Sequence, residues 1–314
     1  MNLAAAKDMF KVIYGRDPGE NEIPFLVYLV NSLQDADQAS MFHYIINGYD
    51  RQTLGTAFTV RFSEKDIAYA KIRDCQLAID KADLSIGQPV VRGQYEPHLI
   101  NFYNERLEPG MVFLDIGANI GLFSMLAANI VGSGGKVICF EPNSENCRLI
   151  LLSIAKNEFK NVTVFPVALG NENGHVLFTT HIGSNGGLVP NTNNTLLGSN
   201  CVVVPMMKLD HMINYKVDAI KIDVEGAEGL VVQGAKQLIE KFRPLITSEF
   251  SLEMLPRVSK ISGRDYLKYF QSIQYDIYLV DRETYALVSI PDVNPFIDGY
   301  GELSRIEDLV FIPQ

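Results

Sequence analysis

The run Val112-Phe113-Leu114-Asp115-Ile116-Gly117-Ala118-Asn119-Ile120-Gly121 decides how this chain is read. It is an apolar strand, a glycine turn, and then a helix entered through Leu122-Phe123-Ser124. Gly117 and Gly121 let backbone approach a ligand and let the helix pack close on the strand. The match to the dinucleotide pattern GxGxxG is partial, because Asn119 holds the middle glycine position. Asp115 is more telling. A carboxylate directly ahead of the turn repels a pyrophosphate and attracts an ammonium. The turn therefore favours a nucleoside with a cationic tail over a dinucleotide, and a nicotinamide-dependent oxidoreductase is the rival it disfavours.

Downstream, Glu141 ends the next apolar strand, Lys136 to Phe140, where an acid can accept both hydroxyls of a ribose. Further apolar strands are expected at Val162 to Val167, Ala219 to Ile222 and Leu245 to Ser248. Helices separate them. One follows Pro142 and buries Cys147, Ile150, Leu151 and Ile154; another follows Gly226 and buries Leu230, Val231 and Leu238. A later helix starts at Ser262, with Asp265 completing a capping box. Two strands, Tyr275 to Val280 and Leu309 to Ile312, close the pattern. Strands alternating with helices imply parallel βαβ units, hence an α/β fold with a doubly wound sheet. Gly174 to Phe178 and Cys201 to Val204 read as an inserted hairpin, and His181 to Asn200 as a polar loop long enough to cover a site.

Upstream of the decisive run, a short strand is expected at Cys75 to Asp80 and a helix from Glu96 to Arg106, stopped by Pro109-Gly110. Residues 1–60 read as a helical accessory module, with apolar stripes at Met9, Val12, Ile13, then Leu26, Leu29, Val30, Leu33, then Phe42, Ile45, Ile46, Tyr49. Residues 61–314 form the catalytic domain.

The second chemical signal is Lys221-Ile222-Asp223-Val224-Glu225-Gly226-Ala227-Glu228. Strand alternation puts Lys221 and Asp223 on one face. A lysine inside a buried strand needs a partner, so a structural ion pair stands beside a catalytic role for Asp223. Glu225 lies just past the strand, where open α/β sheets bind ligands, and Glu249 ends the following strand. Carboxylates around one crevice can deprotonate a hydroxyl, hold a substrate or ligate a metal.

The run from Asp115 to Gly121, Glu141-Pro142, the run 221–228 and the closing Asp308-Leu309-Val310-Phe311-Ile312-Pro313 resemble the FkbM-type methyltransferases. The resemblance covers residues 92–314. It implies a Rossmann-like, seven-stranded sheet with an antiparallel last strand, S-adenosylmethionine as methyl donor and transfer to a hydroxyl oxygen. The cofactor set it suggests is Asp115, Gly117, Asn119, Gly121, Glu141, Ala168 and Asp223. Pro166-Val167-Ala168 lacks the acid that many methyltransferases turn toward adenine, so the backbone at Ala168 takes that role. Asp223 or Glu225 is the expected base; Glu249, His181 and Asn185 are expected at the acceptor. No metal ligand set is assigned, although Asp223 and Glu249 leave a divalent-metal-dependent enzyme open. The start of the chain, around Ile13-Tyr14-Gly15-Arg16-Asp17-Pro18, resembles a small helical domain found beside glycosyltransferases. That points to a sugar or glycan acceptor, and to the N-terminal helices as a tether for a protein partner. A catalytically silent protein that binds glycans or partners is the alternative from another class.

Composition sets bounds on all of this. A net charge of −10 argues against a broad polyanion-binding surface and so against a nucleic-acid partner. Lys7, Asp8 and Lys11 interrupt the first residues, unlike a signal peptide, and no apolar run is long enough to span a bilayer. The four cysteines have no ligand spacing and read as reduced thiols of a cytoplasmic protein.

Overall fold

The computed structural model describes Lys7 and residues 66–180, 185–189 and 201–314. The chain divides into Met1–Glu64 and Lys65–Gln314, and the fold below belongs to the second unit. The three amphipathic helices expected before residue 60 lie outside the described residues.

A hairpin of β1 (Ile67–Ile72) and β2 (Cys75–Asp80) comes first. Then follow β3 (Val112–Ile116), β4 (Lys136–Phe140) and β5 (Val162–Phe165). An excursion adds β6 (Ala168–Leu169), β7 (Gly174–Thr180), β8 (Gly186–Leu188) and β9 (Cys201–Met207). The chain then returns through β10 (Ala219–Ile222), β11 (Leu245–Ser251), β12 (Tyr275–Val280), β13 (Leu287–Ser289) and β14 (Ile306–Pro313). The main sheet runs β13-β12-β14-β11-β10-β3-β4-β5. Strands β5, β4, β3, β10 and β11 are parallel, and β14 enters antiparallel between β11 and β12.

The class is the α/β doubly wound one that the sequence implies, but the sheet has eight strands rather than seven. The extra one, β13, folds back on β12 across a turn held by Asp281, whose carboxylate accepts from the N–H groups of Glu283 and Thr284. Other local expectations also change. Leu151 faces outward at 50% exposure, because the buried stripe of helix Ser144–Asn157 runs through Asn146, Cys147, Leu149, Ile150 and Ser153. The helix after Gly226 is two helices, Glu228–Gly234 and Lys236–Phe242. They part where Gly234 crosses the Gly170 carbonyl so closely that a Cβ would lie 1.9 Å from its oxygen. Gly186 to Leu188, read as loop, pairs with β7 as a strand.

The core forms because the parallel strands are covered on both faces and are largely apolar. Phe113, Leu114 and Ile116 of β3 are all buried. Helix Leu122–Val131 buries Leu122, Phe123, Met125, Leu126, Ala127, Ala128 and Val131. The β1–β2 hairpin is pinned to helix Ser144–Asn157, with Ala78 N–H donating to Ser153 Oγ at 2.8 Å and Gln76 N–H to Asn157 Oδ1 at 2.7 Å. Between β3 and β10 the strand order reverses, and a crevice opens at their carboxyl ends.

Candidate active site

The β3 turn is shaped by close backbone approach. Gly117 has φ +79°, and a Cβ there would lie 1.8 Å from the Asp223 carbonyl oxygen. The Asp223 N–H donates to the Ile116 carbonyl at 3.0 Å, so the ends of β3 and β10 are stitched together. Gly121 has φ +89°, and a Cβ would meet Ile150 at 2.9 Å. Asn119 takes the left-handed conformation at φ +52°, which asparagine tolerates better than most residues. This is why the middle glycine of the pattern is dispensable here.

Asn119 also joins the turn to Glu141. Its N–H donates to Glu141 Oε2 at 2.8 Å, while the Asn143 N–H donates to Oε1 at 2.8 Å. Burial pushes the Glu141 carboxyl up to about 8, against the pull of these backbone groups. Asp115 lies one layer behind the cavity wall, at 1% exposure. Ser124 Oγ donates to its Oδ2 at 2.5 Å, and its Oδ1 has no partner among the described residues. Burial raises its pKa, opposed by Lys221 and Ser124.

A second turn follows β10. Glu225 at φ +54° and Gly226 at φ +95° form a left-handed corner. Glu228 braces it from inside, its Oε1 accepting from the N–H groups of Val224 and Gly226, each at 3.1 Å. Ser259 Oγ donates to the Gly226 carbonyl at 2.6 Å. The corner points Glu225 into the crevice. Lys221 Nζ donates to Asp223 Oδ2 at 2.7 Å and lies 5.0 Å from the centre of the Phe123 ring. Burial alone would lower its pKa; Asp223, Glu96 and Asp115 outweigh that and hold it well above the usual lysine range.

These elements enclose a cavity of about 300 Å³. One end is lined by Glu141, Pro142, Asn146, Val167 and Ala168, and the other by Asp223, Glu225 and Glu249. Gly117, Asn119 and Asn185 lie along it, with Asn119 Nδ2 donating to Asn185 Oδ1 at 3.4 Å. The residues named from the sequence thus largely converge. Asp115 and Gly121 shape the cavity from behind, and His181 lies outside the described residues. Among the described residues, no group of three His, Cys, Asp or Glu side chains is disposed to hold a metal ion.

Tyr95 and Glu96 are among the lining residues that escape the sequence reading. Glu96 precedes helix Pro97–Arg106 in the left-handed region at φ +43°, and its Oε2 is sealed from solvent without a partner among the described residues. Burial raises its carboxyl to about 8. The one sequence signal was the Glu-Pro step that opens the helix. Burial likewise raises Glu225, and holds Glu249 well above the carboxylate range, with Asp223 adding to both.

Fold and site together define a doubly wound nucleoside-binding protein with an acidic end to its pocket. The model of the FkbM methyltransferase domain matches residues 115–277, and the chain belongs to that family. With the family goes its methyl donor, S-adenosylmethionine. No curated protein sequence matches the chain. Among solved structures it is similar to a methyltransferase FkbM from Methylobacillus flagellatus KT, at 17% identity and TM-score 0.40, over 71% of this chain and 52% of that one. The chain therefore spans about half the length of that relative. It is also similar to a precorrin-6y C5,15-methyltransferase from Geobacter metallireducens GS-15, at 12% identity and TM-score 0.40, over 77% and 98% of the two chains. A third is fibrillarin from Aeropyrum pernix, solved with natively bound S-adenosyl-L-methionine, at 13% identity and TM-score 0.38, over 65% and 66%.

Proposed function

We propose that this protein transfers a methyl group from S-adenosylmethionine to a hydroxyl oxygen, on a sugar or glycan acceptor. The observation that carries the reading is one cavity that joins the Gly117 turn and Glu141 at one end to Asp223, Glu225 and Glu249 at the other. The residues fit the cofactor. The turn leaves no room for a Cβ at Gly117, Glu141 retains lone pairs for ribose hydroxyls, and Asp115 carries a buried oxygen with no partner among the described residues. Pro142, Val167 and Ala168 give an apolar slot for the base, with backbone groups near Ala168 to contact its edge.

When bound, S-adenosylmethionine supplies an electrophilic methyl group. The protein's part is to set the hydroxyl in line with it and to take the hydroxyl proton. Glu225 is the stronger base: its carboxyl is raised by burial, whereas an oxygen of Asp223 is engaged by Lys221. Asp223 then positions the acceptor and anchors the lysine.

The test is transfer of labelled methyl to a panel of sugars, with the product located by mass spectrometry. Glu225→Gln is expected to bind S-adenosylmethionine normally and to lose turnover by roughly 10²–10⁴-fold. Asp223→Asn is expected to lose turnover and to lower the melting temperature, since the amide can still accept from Lys221 but no longer offsets the charge of that buried ammonium. Chelators are expected to change little. Methyl transfer only to nitrogen or to nucleic acid would reject the reading, and activity rescued from a chelator by magnesium or manganese would replace the base with a metal.

A further inference from the structure

The acceptor end of the cavity is lopsided in charge. Glu96 reaches it from the segment before helix Pro97–Arg106, Asp223 and Glu225 from the turn after β10, and Glu249 from β11. No lysine, arginine or histidine lines the cavity among the described residues. Lys221 stands behind the wall at 4% exposure, its ammonium given to Asp223. Arg282 is given to Asp308 at 2.8 Å. The segment 181–200, which joins β7 to β9, has neither lysine nor arginine in its sequence. Among the described residues, Glu96 Oε2 is thus shielded from water and unpartnered at the edge of the cavity.

We infer that the acceptor carries a protonated amine close to the hydroxyl that is methylated, and that Glu96 is the residue that selects it. The inference rests on the reading that this end of the cavity takes the acceptor. Lys221 acts on Glu96 only from a distance, its ammonium being bonded to Asp223. A carboxylate withdrawn from water without a bonded cation is costly, and a bound ammonium relieves that cost while a bound carboxylate or phosphate compounds it. Burial is the first cause of the raised pKa of Glu96, Glu225 and Glu249; Asp223 adds to all three, and Lys221 offsets part of the rise at Glu96 and Glu225. Glu96 and Glu225 face one small cavity, so amine and hydroxyl belong to the same end of one molecule. The amine stays protonated beside Glu96 and has no lone pair to offer, which leaves the hydroxyl oxygen as the nucleophile.

Three matched probes test this on the full chain loaded with S-adenosylhomocysteine: glucosamine, glucose and glucuronate, with binding followed by ligand-observed NMR. Glucosamine is expected to bind at least about tenfold better than glucuronate, with glucose between, because like-charge contacts are strongly disfavoured in a closed site. Glu96→Gln is expected to erase most of that preference and Glu96→Asp to keep part of it, both retaining wild-type affinity for S-adenosylmethionine. A flat or reversed order overturns the inference, as does failure of all three probes to bind. Loss of S-adenosylmethionine affinity in Glu96→Gln also overturns it, by assigning Glu96 to the cofactor's cationic tail. Methyl transfer to glucose with no dependence on charge overturns it while leaving the hydroxyl reading intact. The charge order without transfer to any sugar keeps the inference and overturns the sugar reading.

Discussion

Asp115 and Glu141 are both closed off from solvent, yet they meet the cavity differently. Glu141 lines it with both oxygens already drawn into place by backbone N–H groups; Asp115 lies behind, bonded by Ser124 at one oxygen and without a partner among the described residues at the other. Alanine at either position is expected to weaken S-adenosylmethionine binding by about 1.5–3 kcal/mol in calorimetric titration, the scale of a lost hydrogen bond to a charged group. Wild-type affinity in both variants would place the cofactor elsewhere. Gly117 answers a different question. An alanine Cβ would collide with the Asp223 carbonyl, so Gly117→Ala is expected to push the β10 end away and reduce melting temperature and cofactor affinity together. A stable Gly117→Ala protein with full affinity would show that the turn has slack the geometry denies.

The corner after β10 is an element whose stability follows pH. Burial raises Glu228 from 4.5 to about 7 and Glu141 from 4.5 to about 8. Between those values the folded chain keeps protons that the unfolded chain has released, so their contribution is full at low pH and lost as pH rises through the folded values. Glu228→Gln retains an oxygen for the Val224 and Gly226 N–H groups but cannot ionise. Its melting temperature relative to wild type is expected to rise from about pH 5 to about pH 8, whereas Glu228→Ala, which strands both donors, stays below wild type throughout. Parallel wild-type and Glu228→Gln curves would mean that the carboxyl does not titrate in this range. At this scale, much was legible in the sequence. The limits of β4, β10 and β12 follow from their apolar runs, and Ser262 caps its helix by accepting from the Asp265 N–H. What was not legible depends on partners distant along the chain. Strands β8 and β13 are three residues each and exist because β7 and β12 offer an edge. Nothing near Glu96 in sequence shows that the chain will fold its carboxyl against residues from β10 and β11.

At the scale of the molecule, every described residue of the site comes from Lys65–Gln314. A chain beginning at Arg61 is therefore expected to bind S-adenosylmethionine as the full chain does. Loss of binding in a folded truncation would mean that the first sixty residues complete the pocket. The position of β14 has a separate consequence, in the order of events as the chain leaves the ribosome. This strand emerges after β12 and β13 yet lies between β11 and β12, with Leu309, Val310 and Phe311 fully buried. Until it emerges, the hairpin made before it cannot join the sheet, and the edge of β11 stays open to unwanted pairing. The same strand brings Asp308 to His98 at 2.7 Å, which fixes the segment that carries Tyr95 and Glu96. The acidic end of the pocket is thus the last part assembled, and a nascent chain can hold a complete nucleotide turn well before it can hold an acceptor.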